Sequence, residues 1–148
     1  MPITVTVDAS KPAAQLQAEL DAADAALADN AGGVEMAVEI IYAAEVQRLN
    51  AGNFPPPLKP DTIKRKKAKG QPTTALVATG LMRDTIAKII EGDHGWVRNM
   101  QRYGYIQQYG SSVDPARKWM YLDPEDEKKA RAAFEIELYE RPGIARLR

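Results

Sequence analysis

Residues 103–126 read YGYIQQYGSSVDPARKWMYLDPED, and the layout of this stretch decides how the rest of the chain is read. Gln101 to Tyr109 predicts a short helix that stops at Gly110. A polar turn follows, and then Lys118–Leu122, an aromatic and apolar run that predicts a strand. Asp123-Pro124-Glu125-Asp126 is a helix start: a capping Asp, Pro in the first turn, then acids near the positive end of the helix dipole. The helix so begun is expected to run to about Tyr139, with Ala130, Phe134 and Leu138 on one face, and to end at Arg141-Pro142-Gly143. No catalytic motif has this shape, whereas a structural docking element does. Tyr103, Tyr105, Tyr109, Trp119 and Tyr121 are five of the chain's ten aromatic residues. Tyr, Trp and Arg are the residue types of interface hot spots. The candidate interface residues are Tyr109, Arg117, Trp119 and Tyr121. A place in the core competes for Trp119.

Upstream, Ile86, Ile89 and Ile90 precede Glu91-Gly92-Asp93-His94-Gly95, and Trp96 to Met100 follow. This predicts two strands joined by a hairpin. Asn53 to Pro60 reads NFPPPLKP. Three consecutive prolines forbid helix and central strand, so residues 53–72 are expected to form an extended Pro-rich and basic loop, with a short helix from Asp61 to Ala68 inside it. At the N-terminal side, Ile3, Val5 and Val7 alternate with polar residues, a short-strand signal. Ser10 is a candidate cap for a helix carrying Leu16, Leu20, Ala23 and Leu27 on one face. Asn30-Ala31-Gly32-Gly33 interrupts that pattern. A second apolar face follows at Val34, Val38, Ile41, Tyr42, Val46 and Leu49, and Gly52 is the expected stop. The two faces belong either to a helical hairpin or to one long helix bent at the glycines.

Together these signals predict one α+β domain over residues 1–148. A small antiparallel sheet is packed against a long N-terminal helix, or bent helix pair, and a C-terminal helix. Residues 141–148 are expected to be a flexible tail.

Composition narrows the function. At 148 residues the chain is long enough to bury a core. It has no cysteine, which removes thiolate catalysis and cysteine-ligated metals and suits a reducing cytoplasm. No apolar run approaches a membrane span, so a soluble protein is expected. Net charge is zero, but residues 1–58 hold two cations and eight anions, a net of −6, and residues 59–148 carry the balancing +6. Such a split gives two electrostatically different faces unless folding mixes the halves.

The single histidine, His94, sits in the expected hairpin turn with no second histidine to build a metal or catalytic site. The acids Asp123, Glu125, Asp126 and Glu127 fit helix capping better than a calcium loop, which would need alternating Asp/Asn ligands and a glycine. No cofactor is expected, and no enzymatic activity. Lys59, Lys64, Arg65, Lys66, Lys67 and Lys69 form a basic run with one acid, Asp61, among them. Such runs attract phosphate backbones. They also serve as solvated faces or as the positive half of a protein interface. No aromatic is interleaved for base stacking.

The order of phrases along the chain resembles the phage virion-morphogenesis and tail-completion proteins of the Mu-like type. The phrases are Asn53-Phe54; Leu58 with Thr62 and Lys64 to Lys67; and Leu76 through Thr79-Gly80-Leu81 to Thr85-Ile86. Then come Tyr105-Ile106-Gln107-Gln108-Tyr109-Gly110 and Pro115-Ala116-Arg117-Lys118-Trp119-Met120-Tyr121-Leu122-Asp123. The match spans residues 36–139. Gln107, Trp119 and Pro57 depart from the residues usual in that family. The resemblance implies a non-enzymatic virion protein of the neck or tail end, made in the host bacterial cytoplasm. It implies a homo-oligomeric ring, often of six subunits, that completes the tail and helps join it to the head. The implied partners are the tail terminator or tail tube protein, the head connector or adaptor protein, and DNA passing through the lumen. The basic loop would face that channel or a neighbouring subunit. The competing reading is a nucleic-acid-binding module using residues 59–69.

Overall fold

The computed structural model describes residues 11–145. The expected strand at Ile3, Val5 and Val7 and the expected cap at Ser10 lie outside the described residues. The chain is α+β, as the patterning predicts. Its elements are α1 (Ala13–Ala28), α2 (Ala31–Ala51), α3 (Pro60–Ala68), α4 (Leu81–Asp84), β1 (Ile86–Glu91), β2 (His94–Asn99), α5 (Arg102–Tyr109), α6 (Pro124–Glu140) and α7 (Pro142–Ala145).

The central element is α2. At 21 residues it is about 30 Å long at 1.5 Å per residue. The helix breaks from α1 at Asp29-Asn30, one step before the glycines, which lie inside the first turn of α2. It ends where expected. Gly52 adopts φ +66° and donates its N–H to the Arg48 carbonyl, a conformation only glycine reaches without strain. Helix α6 lies antiparallel to α2. Phe134 approaches Gly33 near the start of α2, and Asp126 pairs with Arg48 near its end.

The hairpin covers a second side of α2. Its turn is Gly92-Asp93 alone, with Glu91 opposite His94. Gly92 sits at φ +61°, the positive φ that a tight two-residue hairpin turn requires. The pairing places Ile86, Lys88, Ile90, Gly95, Val97 and Asn99 on one face, and that face meets the helix. Lys88 pairs with Glu39 and lies 4.8 Å from the centre of the Tyr42 ring. At Gly95 the approach is so close that a Cβ would stand 2.3 Å from Val38 and 2.9 Å from Val34. A two-stranded sheet alone is marginal in water, so this packing is what holds the hairpin flat on the helix.

The molecule therefore has two unlike ends. At the start of α2 stand the hairpin tip, α1 and α7. Residues 141–145 do not trail away as expected. Arg141 donates to the Ala26 carbonyl and pairs with Glu137, and Ile144 is buried. At the other end, Leu49, Phe54, Ala75, Met82, Ile86 and Trp119 form the main core cluster.

Two expectations are corrected at that second end. Helix α3 starts one step early, with Lys59 as its cap residue and Pro60 at the first position. Proline's fixed φ and missing N–H suit that first position, which leaves Asp61 inside the first turn. Lys118–Leu122 belongs to no strand and bends at Met120. The Gln108 side chain takes the place of a neighbouring strand: Oε1 accepts from the Trp119 and Met120 N–H groups at 3.0 and 3.1 Å, and Nε2 donates to the Met120 carbonyl at 2.9 Å. The Tyr121 N–H is taken by the Glu45 carboxylate at 3.0 Å. With the N–H groups of Trp119, Met120 and Tyr121 and the Met120 carbonyl answered by side chains, the middle of the segment has no need of a ladder.

Candidate functional site: a basic cleft beside the tyrosine helix

Helix α5 and the segment after it form one unit. Trp119 is 2% exposed, and its indole N–H donates to the Gly104 carbonyl at 3.0 Å. A Cβ at Gly104 would stand 3.2 Å from the Trp119 ring and 2.9 Å from Asn99, so the indole lies directly on the helix backbone. The Arg117 N–H donates to the Gln107 carbonyl at 2.7 Å, and Gly110 ends the helix at φ +81°. Tyr105 and Tyr109 stand on the outer side with ring centres 4.7 Å apart, each about two-thirds exposed.

The four candidate interface residues thus separate. Tyr109 and Tyr121 are exposed. Trp119 is in the core, and Arg117 is only 7% exposed. Tyr121 also belongs to an internal network. Arg48 lies 4.6 Å from its ring centre, donates to its carbonyl at 3.0 Å, and pairs with both Glu45 and Asp126. Glu45 is 1% exposed. Burial raises its pKa, and the Arg48 pairing offsets part of that rise. Burial alone would lower the Arg48 pKa, but its bonds to Glu45 and Asp126 outweigh that and raise it. Sequence reasoning missed this network, because its members lie up to 81 positions apart (Glu45 to Asp126).

Between α3 and the 111–117 segment lies a cleft of about 800 Å³. Pro56, Leu58, Leu76 and Val113 give it apolar walls, and Lys59, Arg65, Lys66 and Arg117 give it charge, with Asp114 the one acid among its lining residues. Burial raises the pKa of Tyr103 at its edge, and the charge of Asp114 adds to the rise.

The basic run is divided by helical geometry. Thr62, Arg65 and Lys66, at spacings of three and four, line the cleft, whereas Lys64 and Lys67 on the other side of the helical period do not, and neither does Lys69, the residue that caps the end of α3. Lys66 is a structural cation. Its Nζ donates to the Thr74 and Val77 carbonyls at 2.6 and 2.7 Å, and burial lowers its pKa. Lys59, Lys64, Arg65, Lys67 and Lys69 are exposed and make no ion pair among the described residues.

His94 is exposed and lies beside Asp93, with its ring stacked near Trp96. Among the described residues, no group of three or more His, Asp or Glu is placed to hold a metal ion, and no helix is long and apolar enough to cross a membrane. No protein-family model, no curated protein and no solved structure matches the chain.

Proposed function

We propose that this chain is a structural, non-enzymatic subunit of a bacteriophage neck or tail end. It completes the tail and helps join it to the head as part of a homo-oligomeric ring. The observation that carries this reading is the electrical asymmetry along the subunit. Asp21, Asp24, Asp29 and Glu35 are exposed at the α1 end without an ion pair among the described residues, while the cations of α3 stand at the other end. A closed ring is built from heterologous contacts, in which two different surfaces of one subunit meet. Opposite charge at the two ends suits that geometry. The phrases that carry the resemblance to tail-completion proteins add support, because Leu58, Thr62, Leu76, Gln107, Pro115 and Arg117 all line the same cleft. The partners on this reading are the tail terminator or tube, the head connector or adaptor, and DNA in the lumen.

The test is the mass of the purified chain by light scattering during gel filtration, at low and at high salt. The expected result is an oligomer near six subunits that loosens as salt screens its contacts. Infection with the gene deleted is expected to yield filled heads and separate tails. Joined particles in that experiment would overturn the reading.

A second reading, a nucleic-acid-binding module, is favoured by Lys64, Lys67 and Lys69, which are exposed outside the cleft lining without carboxylate partners among the described residues. It predicts DNA binding by the isolated chain that weakens steeply with salt.

A further inference from the structure

The unusual group in the cleft is Arg117. It is 93% buried, with 7% of its surface exposed, and its Nε donates to the Pro56 carbonyl at 3.0 Å. Its guanidinium makes no other hydrogen bond and no ion pair among the described residues. No buried side-chain nitrogen or oxygen among those residues lacks a partner. The terminal Nη groups therefore reach solvent, and the space they reach is the cleft that Arg117 lines. A guanidinium held this far inside, with its Nη groups open only to the cleft, offers a fixed fork, and a carboxylate is the partner whose two oxygens match it. Lys59 and Arg65 line the same cleft, so the cations of its lining outnumber its one acid, Asp114.

We infer that the cleft receives an acidic segment from a second copy of this chain, with Arg117 as the buried anchor and Lys59 and Arg65 as the guiding rim. The second copy is the occupant because the chain carries the complement itself. Asp24, Asp29 and Glu35 lie exposed at the α1 end, away from the cleft along the length of α2. One end of each subunit then fits the other end of the next, a heterologous contact. Duplex DNA fits the cleft poorly. Its phosphates lie on a wide, stiff duplex that would meet the rim but not a guanidinium that is 7% exposed, and the apolar walls of Pro56, Leu58 and Val113 give a fully charged backbone nothing to bond. The choice of a second copy rests on the ring reading, while the placing of a carboxylate on Arg117 does not.

The test uses the full chain labelled with 15N. The Arg117 Nε–H signal and the Ser112 and Val113 amide signals are followed from micromolar to millimolar protein at low salt, together with the mass by light scattering. The cleft signals are expected to shift as the mass rises. Two variants leave Arg117 and its bond to Pro56 in place. Lys59→Glu with Arg65→Glu reverses the rim, and Asp24→Lys, Asp29→Lys with Glu35→Lys reverses the acidic end. Each alone is expected to weaken association by on the order of tenfold to a hundredfold. A mixture of the two, in which opposite charges again face each other, is expected to restore it. A rise in mass with unmoved cleft signals, and with the rim variant associating like the parent chain, overturns the cleft contact and leaves the ring reading standing. Constant mass and constant signals up to millimolar protein overturn the cleft contact and leave the ring reading to the infection assay. Cleft signals that move only when duplex DNA is added overturn the carboxylate assignment.

Discussion

The two walls of the cleft use polar groups in opposite ways. The wall formed by α5 and the 115–122 segment turns them inward: Gln108 answers Trp119 and Met120, the indole answers Gly104, and Glu45 answers Tyr121. The α3 wall turns them outward. Of its six cations only Lys66 holds the fold, through the Thr74 and Val77 carbonyls. Side chains spent on backbone groups are not free for partners, and cations left in water contribute little to folding. Stability is thus concentrated on one wall and binding capacity on the other, with Arg117 the residue that belongs to both.

The comparison is most easily broken at Trp119. Truncation to Ala empties an indole-sized volume against Gly104 and Asn99, and removal of a buried Trp costs about 3–5 kcal/mol. Chemical denaturation should show a loss of that size, and a loss below about 1 kcal/mol would mean that the wall is not packed as described. Gln108→Ala comes next. It leaves two N–H groups and one carbonyl unanswered, at about 1–3 kcal/mol. Gln108→Glu keeps the acceptor and loses the donor to Met120, so its stability should fall between the parent and the Ala variant. Equal stability for all three would show that water answers the segment as well as the amide does.

Glu45 sharpens the comparison through pH. Its folded pKa is raised above the ordinary 4.5, chiefly by burial. The folded protein therefore holds this proton more tightly than the unfolded chain. Through this group, stability grows as pH falls from neutral toward 4.5 and is lost as pH rises through the folded value. Other carboxylates titrate in the same range, so the measurement is a difference. Denaturant stability of the parent minus that of Glu45→Gln should increase on acidification across that window. A flat difference would mean that Arg48 fully offsets the burial.

What the sequence made legible, and what it hid, follows the same division. Gly52, the Gly92 turn, Gly110 and the Asp123-Pro124 start were readable because each acts within one turn of its own position. Asp123 does accept from the Glu125 N–H, at 2.9 Å. The hairpin was readable for the same reason. The Lys118–Leu122 segment was misread as a strand because aromatic and apolar residues register an extended backbone but not the identity of its hydrogen-bond partner. Here that partner is a side-chain amide on α5 and, for Tyr121, a carboxylate 76 positions upstream. Arg117 looked like an interface arginine, and only the fold reveals that it is nine-tenths inside. The basic run read as one feature, yet a helical period divides it into cleft-facing, structural and outward cations.

That division gives the smallest expected effect on stability and the sharpest contrast. Lys66→Met keeps the apolar stem and removes two bonds to carbonyls, so it should cost about 1–2 kcal/mol. Lys64→Glu with Lys67→Glu touches only solvated cations, and its stability should stay within about 0.5 kcal/mol of the parent. The order reverses for DNA. If α3 meets phosphates at all, the Lys64/Lys67 variant should lose binding and flatten its dependence on salt, because each phosphate contact removed lowers the salt slope by about one. Lys66→Met should leave that slope nearly unchanged. A Lys66 variant that lost DNA binding as fully as the Lys64/Lys67 variant, at equal stability, would show that the run acts as one patch and that its helical division has no functional meaning.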